Sequence, residues 1–435
     1  MKNNKKLLSL AVTIGLTCAS QHVNAAGFQL AEYSATGLGR AYAGEAAIAD
    51  NASAQWRNPA MLMYLEGTQI STGAIYVNPN IDISGQVDHQ TLGKTTTANA
   101  NDFADDAVIP NLYISHRYSD KLAVGFALST NYGMKTDLGT DFAASHFGNE
   151  ASITTMEANL NLAYQVSQQL SLGGGLRYVT GEGNFGATAP ATNIVGQHPT
   201  TGAPISVPQG TTLKYMEGDD TSWGWQVGAA WQINDDNRLG FAYKSEVMMD
   251  FKGFAKGLTY GDHKPGKLSI ALPATAEIAS FHQLNEQLAV HASVNWTDWS
   301  SFKELRAEFD DGSSDLIKSE NWKDNYRFAV GATYQIDPAI ALRSGIAYDT
   351  SAVSDANRTA TIPETDRTWL SVGATYQASK SLLLDLGATY IIAKDASVNE
   401  PRDASDQTAA AIGGAFTGEV SGSVWLIGLQ ANYTF

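Results

Sequence analysis

Residues 423–435 read SVWLIGLQANYTF, and their alternation decides the fold. Trp425, Ile427, Leu429, Ala431, Tyr433 and Phe435 fall on one face of an extended chain, and Leu426, Gly428, Gln430, Asn432 and Thr434 on the other. Successive side chains of a strand point to opposite sides, so one face is apolar and aromatic and the other mostly polar or small. The pattern returns at Tyr326, Phe328, Val330, Ala332, Tyr334 and Ile336, at Trp223, Trp225, Val227, Ala229, Trp231 and Ile233, and at Leu384, Leu386, Ala388, Tyr390 and Ile392. Segments of about ten residues, apolar outside and polar inside, with aromatics near their ends, mark strands that cross a membrane as a closed barrel. A soluble β-sandwich also alternates. It rarely repeats the pattern this often in strands this long, or ends on an aromatic.

The connections set the strand number. Short polar turns fall at Ser119-Asp120, Gln168-Gln169, Asn234 to Asn237, Gln283 to Asn285, Asp337-Pro338 and Ser379-Lys380. Long connections fall near 78–106, 134–150, 181–220, 254–266, 299–321, 351–366 and 394–420. These alternate and join fourteen strands, if the region from Trp296 to Phe309 is one strand continuing into its loop. The expected fold is therefore all-β: a 14-stranded antiparallel transmembrane barrel over 68–435, both termini periplasmic and the long loops outside.

The N-terminus carries an export signal. Lys2, Lys5 and Lys6 precede an uncharged apolar core, Leu7 to Ala19, and Val23-Asn24-Ala25 offers small residues for cleavage, so 1–25 reads as a signal peptide. Thirteen or so apolar residues are too few to span a bilayer. Cys18, the one cysteine, leaves with the leader, which excludes disulfides, thiolate metal sites and cysteine nucleophiles. Losing three lysines and no acid takes the formal charge from −16 to −19, and such an exported, acidic chain does not suit nucleic acid. Mean hydropathy is −0.18, and no apolar run beyond the leader is long enough for a transmembrane helix.

A fourteen-strand lumen is too wide for its own side chains to fill. Residues 26–67 carry no strand period, are rich in Ala and Gly, and lie on the periplasmic side, so they are expected to fold as a plug, or hatch, inside the barrel. Phe28, Leu30, Leu38, Ile48, Met61, Leu62 and Met63 would bring apolar side chains into a space that general porins keep wet. They either pack hatch on wall or line an apolar pocket, which implies a hydrophobic cargo. No HExxH, GxSxG or phosphate loop is present, the acidic run Asp310 to Asp315 lacks EF-hand spacing, and no metal, cofactor or catalytic residue is expected.

The stretch AGFQLAEYSATGLGRAYAGEAAIADNASAQWRNPA (26–60) resembles the FadL family of outer-membrane long-chain fatty acid transporters (OmpP1/FadL/TodX). The likeness continues through STNYGM (129–134), DNRLGFAYKSEVMMDFKG (236–253) and NRTATIPETDRTWLSVGATY (357–376). The resemblance implies passive transport, with capture of a long-chain fatty acid at an outer apolar groove, transfer to a lumenal pocket, and lateral release through a gap in the wall. It implies that Asn58-Pro59-Ala60 is the hatch motif, that Phe28 reaches into the inner pocket, and that Lys318 pairs with the cargo carboxylate. It also implies that Asn131-Tyr132-Gly133 kinks the third strand to open the wall, and that Gly228 lies beside the gap. From its own sequence, Gly228 could equally accommodate the hatch. The family pattern has further basic residues after the fifth strand, where this chain has TGEGNFGA (180–187), so Arg177 and Arg327 are the alternative carboxylate partners. A sixteen-carbon tail gains on the order of 12 kcal/mol on leaving water, which suits a chain of apolar sites and needs no ATP. Aromatic or alkane cargo, or a role as surface adhesin or phage receptor, would fit the same fold. The expected partners are fatty acid and outer-membrane lipid, with the protein a monomer.

Overall fold

The computed structural model describes residues 27–89, 93–190, 194–197, 204–402 and 413–435. The leader read from residues 1–25 lies outside them. The first wall strands are β1 (Thr68–His89), β2 (Ala107–Ser119), β3 (in two pieces, Leu122–Ser129 and Gly133–Asp137) and β4 (Glu150–Gln165). The wall continues through β5 (Leu170–Thr188), β6 (Thr212–Asn234), β7 (Asn237–Lys244 and Val247–Gly257) and β8 (Gly261–Leu272 and Thr275–Gln283). It is completed by β9 (Leu288–Thr297), β10 (Asn325–Asp337), β11 (Ile340–Asp349), β12 (Arg367–Ser379), β13 (Leu382–Ala393) and β14 (Ala415–Thr434). Each strand pairs antiparallel with the next, and β14 returns to β1 from Gln69–Thr434 to Asp88–Ala415. The barrel of fourteen strands is closed.

Burial inverts that of a soluble protein. Trp223, Trp225, Val227, Trp231 and Ile233 are exposed along β6, while Gln226 and Ala230 between them are buried. On β14, Trp425, Ile427 and Leu429 face out, and Leu426 and Gln430 face in. An outward apolar face belongs in lipid. Among the described residues no helix is long and apolar enough to cross a membrane. Both ends of the wall lie at the short-turn side, which in such barrels is periplasmic.

Much of what the pattern assigns to long loops is strand. β1 runs on to His89 and folds back on Lys94–Ala100, and β7 and β8 stay paired up to Gly257–Gly261. Beyond the bilayer the outward face need not be apolar, so β7 continues with Lys252 and Lys256 exposed and the ladder outlives its sequence signal. After β9 the chain makes a 3-10 turn at Trp299–Ser301, then Glu304–Phe309 pairs with Ser314–Ser319 as an extension of the wall.

Residues 27–67 lie within the barrel. Helices α1 (Ala35–Leu38) and α2 (Ala54–Arg57) and the 3-10 turns Glu45–Ala47 and Pro59–Tyr64 are almost wholly buried. Their polar ends are capped locally, Ser34 Oγ accepting from Gly37 N at 3.3 Å and Asn58 Oδ1 from Ala60 N at 2.9 Å.

The closing register predicts a crosslink. Thr72 pairs with Ala431 on the lipid face. In the exported chain, Thr72→Cys with Ala431→Cys should form a disulfide under mild oxidation, seen as altered migration of the heat-denatured, unreduced protein. The pair Thr72→Cys with Asn432→Cys, one residue out of register, should not.

Candidate functional site

An apolar cavity of about 130 Å³ opens at the extracellular end of the lumen. Met134, Ile153, Phe185, Phe251, Leu268, Ile270, Leu305 and Ile317 line it, and Phe28 of the hatch sits among them. Four rings hold Phe28: Trp299 at 4.6 Å between centroids, Phe302 at 5.8 Å, and Tyr132 and Trp322 at 6.1 Å each. The cavity's polar groups include Lys318, Glu320 and Glu400. Lys318 Nζ lies 3.4 Å from Glu400 Oε1, and Trp322 Nε1–H donates to Glu320 Oε2 at 2.8 Å. Burial pushes the Glu320 carboxyl up to about 7, against the pull of the Trp322 N–H and Lys318, and raises Glu400 as well.

The wall is interrupted below this cavity. The β2–β3 ladder stops at Leu112–Leu128, so β2 residues 107–111 keep β1 as partner and have none on β3. The two sides rejoin further up, through the Ala104–Thr136 bridge and Asp137 N donating to Phe103 O at 2.8 Å. Between these points β3 bends inward over Thr130, Asn131 and Tyr132. The hatch takes over the lost pairing: Leu30 N donates to Asn131 O at 2.7 Å and Gly133 N to Phe28 O at 2.8 Å. Thr155 Oγ1 donates to Tyr132 O at 2.7 Å, and Tyr132 OH to Pro273 O at 2.7 Å. Asn131 Nδ2 donates to Glu157 at 2.7 Å, joining a buried cluster in which Arg177 Nε and Nη2 each meet Glu157 at 2.8 Å.

At the other end, the Asn58-Pro59-Ala60 turn lies on a glycine pair. Gly173 of β5 and Gly228 of β6 face each other across the ladder. A Cβ on Gly228 would collide with Asn58 Oδ1, and one on Gly173 with the Ala60 amide. Asn58 Nδ2 donates to Ala46 O at 2.6 Å and to Ala229 O at 3.1 Å, tying two hatch turns to the wall.

The family model described as outer membrane protein transport protein (OMPP1/FadL/TodX) matches residues 16–435. The chain belongs to this family. Outer membrane protein P1 of Haemophilus influenzae is 36% identical over the whole of both chains. The long-chain fatty acid transport protein of an Escherichia coli strain is 34% identical over 98% of each. Among solved structures, a Pseudomonas aeruginosa FadL homologue superposes with a TM-score of 0.83 at 23% identity, covering 94% of this chain and 100% of that one. The Ralstonia pickettii toluene transporter TbuX superposes at 0.65 and 18% identity, over 92% and 98%. These two likenesses carry the fold alone. The FadL-family membership makes this an outer-membrane protein of a transport family.

Within this FadL-family barrel the expected residues separate into four groups. Phe28 and Lys318 line one cavity, and Asn131-Tyr132-Gly133 form the inward bend. Gly228 does not border the break: its strand neighbours are Gly173 and Ala242, and it lies under the hatch. The two arginines do not line the cavity. Arg177 is saturated by Glu157 and by Ser245 O at 2.7 Å, and Arg327 binds Asp349 at 3.0 Å and Ala41 O at 2.9 Å. Sequence reasoning missed Glu320 and Trp322, although both stand in the IKSENWKD string (317–324) that singles out Lys318. Glu400 has no such signal, being 82 residues away.

The glycine seat yields a prediction. Gly228→Val or Gly173→Val should displace the hatch, raising single-channel conductance of the purified barrel in planar bilayers while heat-modifiable migration persists. Asn58→Ala should act in the same direction but more mildly, each orphaned carbonyl costing about 1–3 kcal/mol of docking. Wild-type conductance in a folded Gly228→Val protein would show that the seat is not needed.

Proposed function

We propose that this chain moves long-chain fatty acids passively across the outer membrane, as a monomer whose first 25 residues serve as export leader. Cargo is captured at an outer apolar groove, passes into the lumenal cavity, and leaves sideways through the gap between β2 and β3. The observation that carries this reading is the cavity, an apolar chamber whose polar end offers Lys318 and in which a hatch residue, Phe28, is embedded. A general porin would present water and charge at that place. Membership of a transport family, and the E. coli relative named for long-chain fatty acid transport, agree with it.

The contacts of residues 28–30 support this route. That segment pairs with the bent part of β3 from inside, and its Phe28 also enters the cavity. Cargo pressing on Phe28 therefore acts on the piece of chain that seals the gap. An apolar tail leaving there enters bilayer without crossing water, which preserves its roughly 0.8 kcal/mol per methylene. No catalytic step is involved.

Uptake of labelled oleate by cells expressing this barrel and lacking any other fatty-acid transporter tests the reading. Wild type should support uptake and growth on oleate; failure of both, with the barrel folded and at the surface, would reject it. Lys318→Ala should weaken binding of the acid about tenfold relative to the matching alcohol, because the acid alone has a charge-assisted contact to lose. Equal losses would remove Lys318 from the headgroup site.

The lateral step has its own test. Ser129, buried at the lower edge of the break, has its hydroxyl 3.4 Å from Pro110 O. Ser129→Arg should place a cation in the opening and abolish uptake while surface capture of fatty acid persists. Normal uptake by the folded variant would redirect the exit through the hatch to the periplasm.

A further inference from the structure

The cavity just read as the fatty-acid site holds more acid than base. Lys267 also lines it, but directs its ammonium to Asp250 and Glu308 at 3.6 and 3.5 Å. That leaves Lys318, whose ammonium is already 3.4 Å from Glu400. Glu400 is buried, its second oxygen accepting a long 3.4 Å bond from Ala360 N. Glu320, two residues from Lys318, is buried as well and held by Trp322, itself part of the Phe28 cage. One ammonium thus faces two carboxyl groups. An ionised cargo would add a third acidic group around one ammonium in a poorly solvated chamber.

We propose that Glu400 selects the cargo's headgroup: by occupying Lys318 it admits a long-chain acid only together with a proton, and favours neutral heads, a carboxylic acid or an alcohol, over a carboxylate. The inference deepens the fatty-acid reading and rests on it. A cargo carboxylate that displaces Glu400 from Lys318 leaves Glu400 buried with the Ala360 amide and the weaker pull of Arg402, and a buried carboxylate that has lost its ion-pair partner takes up a proton. It then donates a hydrogen bond to the cargo oxygen. If the proton sits on the cargo instead, the Lys318–Glu400 pair stays intact and the count is the same. The proton comes from solvent, and no bond other than O–H forms.

The charged groups around Glu400 do not remove this constraint. Glu320 adds repulsion, and burial already holds both carboxyls above the usual range. Arg402, two residues further along the chain, attracts Glu400 but lies over the Phe147 ring at 4.5 Å. Arg358, on the loop that supplies Ala360, is turned to Asp355 and the Ser397 carbonyl. The sign follows. The occupied site holds one more proton than site and cargo apart, so acid affinity is highest at low pH and falls up to about tenfold per unit as both partners ionise.

Calorimetric titration of the full detergent-solubilised barrel with palmitic acid and with hexadecanol, in two buffers of different ionisation heat near neutral pH, tests this. Wild type should take up about one proton per acid bound and none per alcohol. In Glu400→Gln the uptake should shrink, and the acid-to-alcohol affinity ratio at alkaline pH should rise about tenfold, with Glu400→Asp restoring the wild-type uptake. A proton drawn by the micellar acid itself is common to both proteins, so the difference between them is the reading. Acid binding with equal uptake in wild type and Glu400→Gln, or a ratio that falls, would overturn the role of Glu400 and leave the fatty-acid reading standing. Binding of neither ligand by folded wild type would overturn both.

Discussion

The structure depends on a backbone-to-wall contact. A lumen of fourteen strands can be filled only by something that brings its own atoms, and a hatch whose helices are only one or two turns long brings unsatisfied carbonyls with it. The wall meets it with glycines and donors. The backbone of Ala46 lies against Gly240, that of Arg40 against Gly345 and that of Ala35 against Gly387, each at a distance a Cβ would forbid. Where carbonyls remain, wall side chains reach in: Arg327 to Ala41 O, Arg238 to Ala47 O at 3.1 Å and Tyr113 to Tyr33 O at 2.7 Å. Buried ion pairs complete the attachment, Arg57 to Glu277 at 3.1 Å across the wall and Arg40 to Glu45 at 2.7 Å within the hatch. Removing one member of such a pair strands the other, so they fix position more than they add stability.

The interrupted wall follows from the same arithmetic. An unpaired strand edge at membrane depth is untenable unless its polar groups are met from inside. The bend in β3 turns those groups away from lipid, and two sources meet them, the hatch backbone at Phe28 and Leu30 and the hydroxyl of Thr155, while the Asn131 side chain is held by the carboxylate of Glu157. Glu157 in turn is held by Arg177, with Lys244 at 3.8 Å, and Lys244 lies 4.2 Å from the ring centre of Trp56 in α2. The break in pairing therefore involves five wall strands, β2, β3, β4, β5 and β7, and two parts of the hatch.

That explains what the sequence could and could not show. The wall was legible because lipid imposes period two on every membrane-depth strand, as at Trp223 to Ile233. The extensions were not, since above the bilayer Lys252 may face out as freely as Trp225 does below. The hatch was legible by elimination and by its Gly and Ala content. Arg177 and Arg327 looked available for a carboxylate because nothing local reveals a partner; Glu157 and Asp349 are supplied by strand pairing 20 and 22 residues away. The register of Gly228 was read correctly, and an inward glycine is compatible with either a gap or a close approach. Only the placement of Asn58 distinguishes them. Glu400 was out of reach because its relation to Lys318 crosses the lumen.

A transport site must bind and let go, and the composition of the cavity bears on that. Burying a long tail is worth far more than a carrier can hold if it is to release within a useful time, so the headgroup end should not add a strong, dedicated charge contact. A Lys318 already engaged by Glu400 would supply polarity without a deep electrostatic well, since part of what the cargo gains from the ammonium is lost by Glu400. The aromatic floor acts in the same sense. Phe28 fills part of the chamber with rings from Trp299, Phe302 and Trp322, so a cargo bound as proposed would exchange one apolar contact for another rather than fill a void. The displaced Phe28 is two residues from the amide of Leu30 that closes on Asn131, so relief of crowding in the chamber and loosening of the seal are movements of one short segment. In the transport proposed above, tail burial would provide attraction, Glu400 would limit it, and residues 28–30 would connect occupancy with the way out.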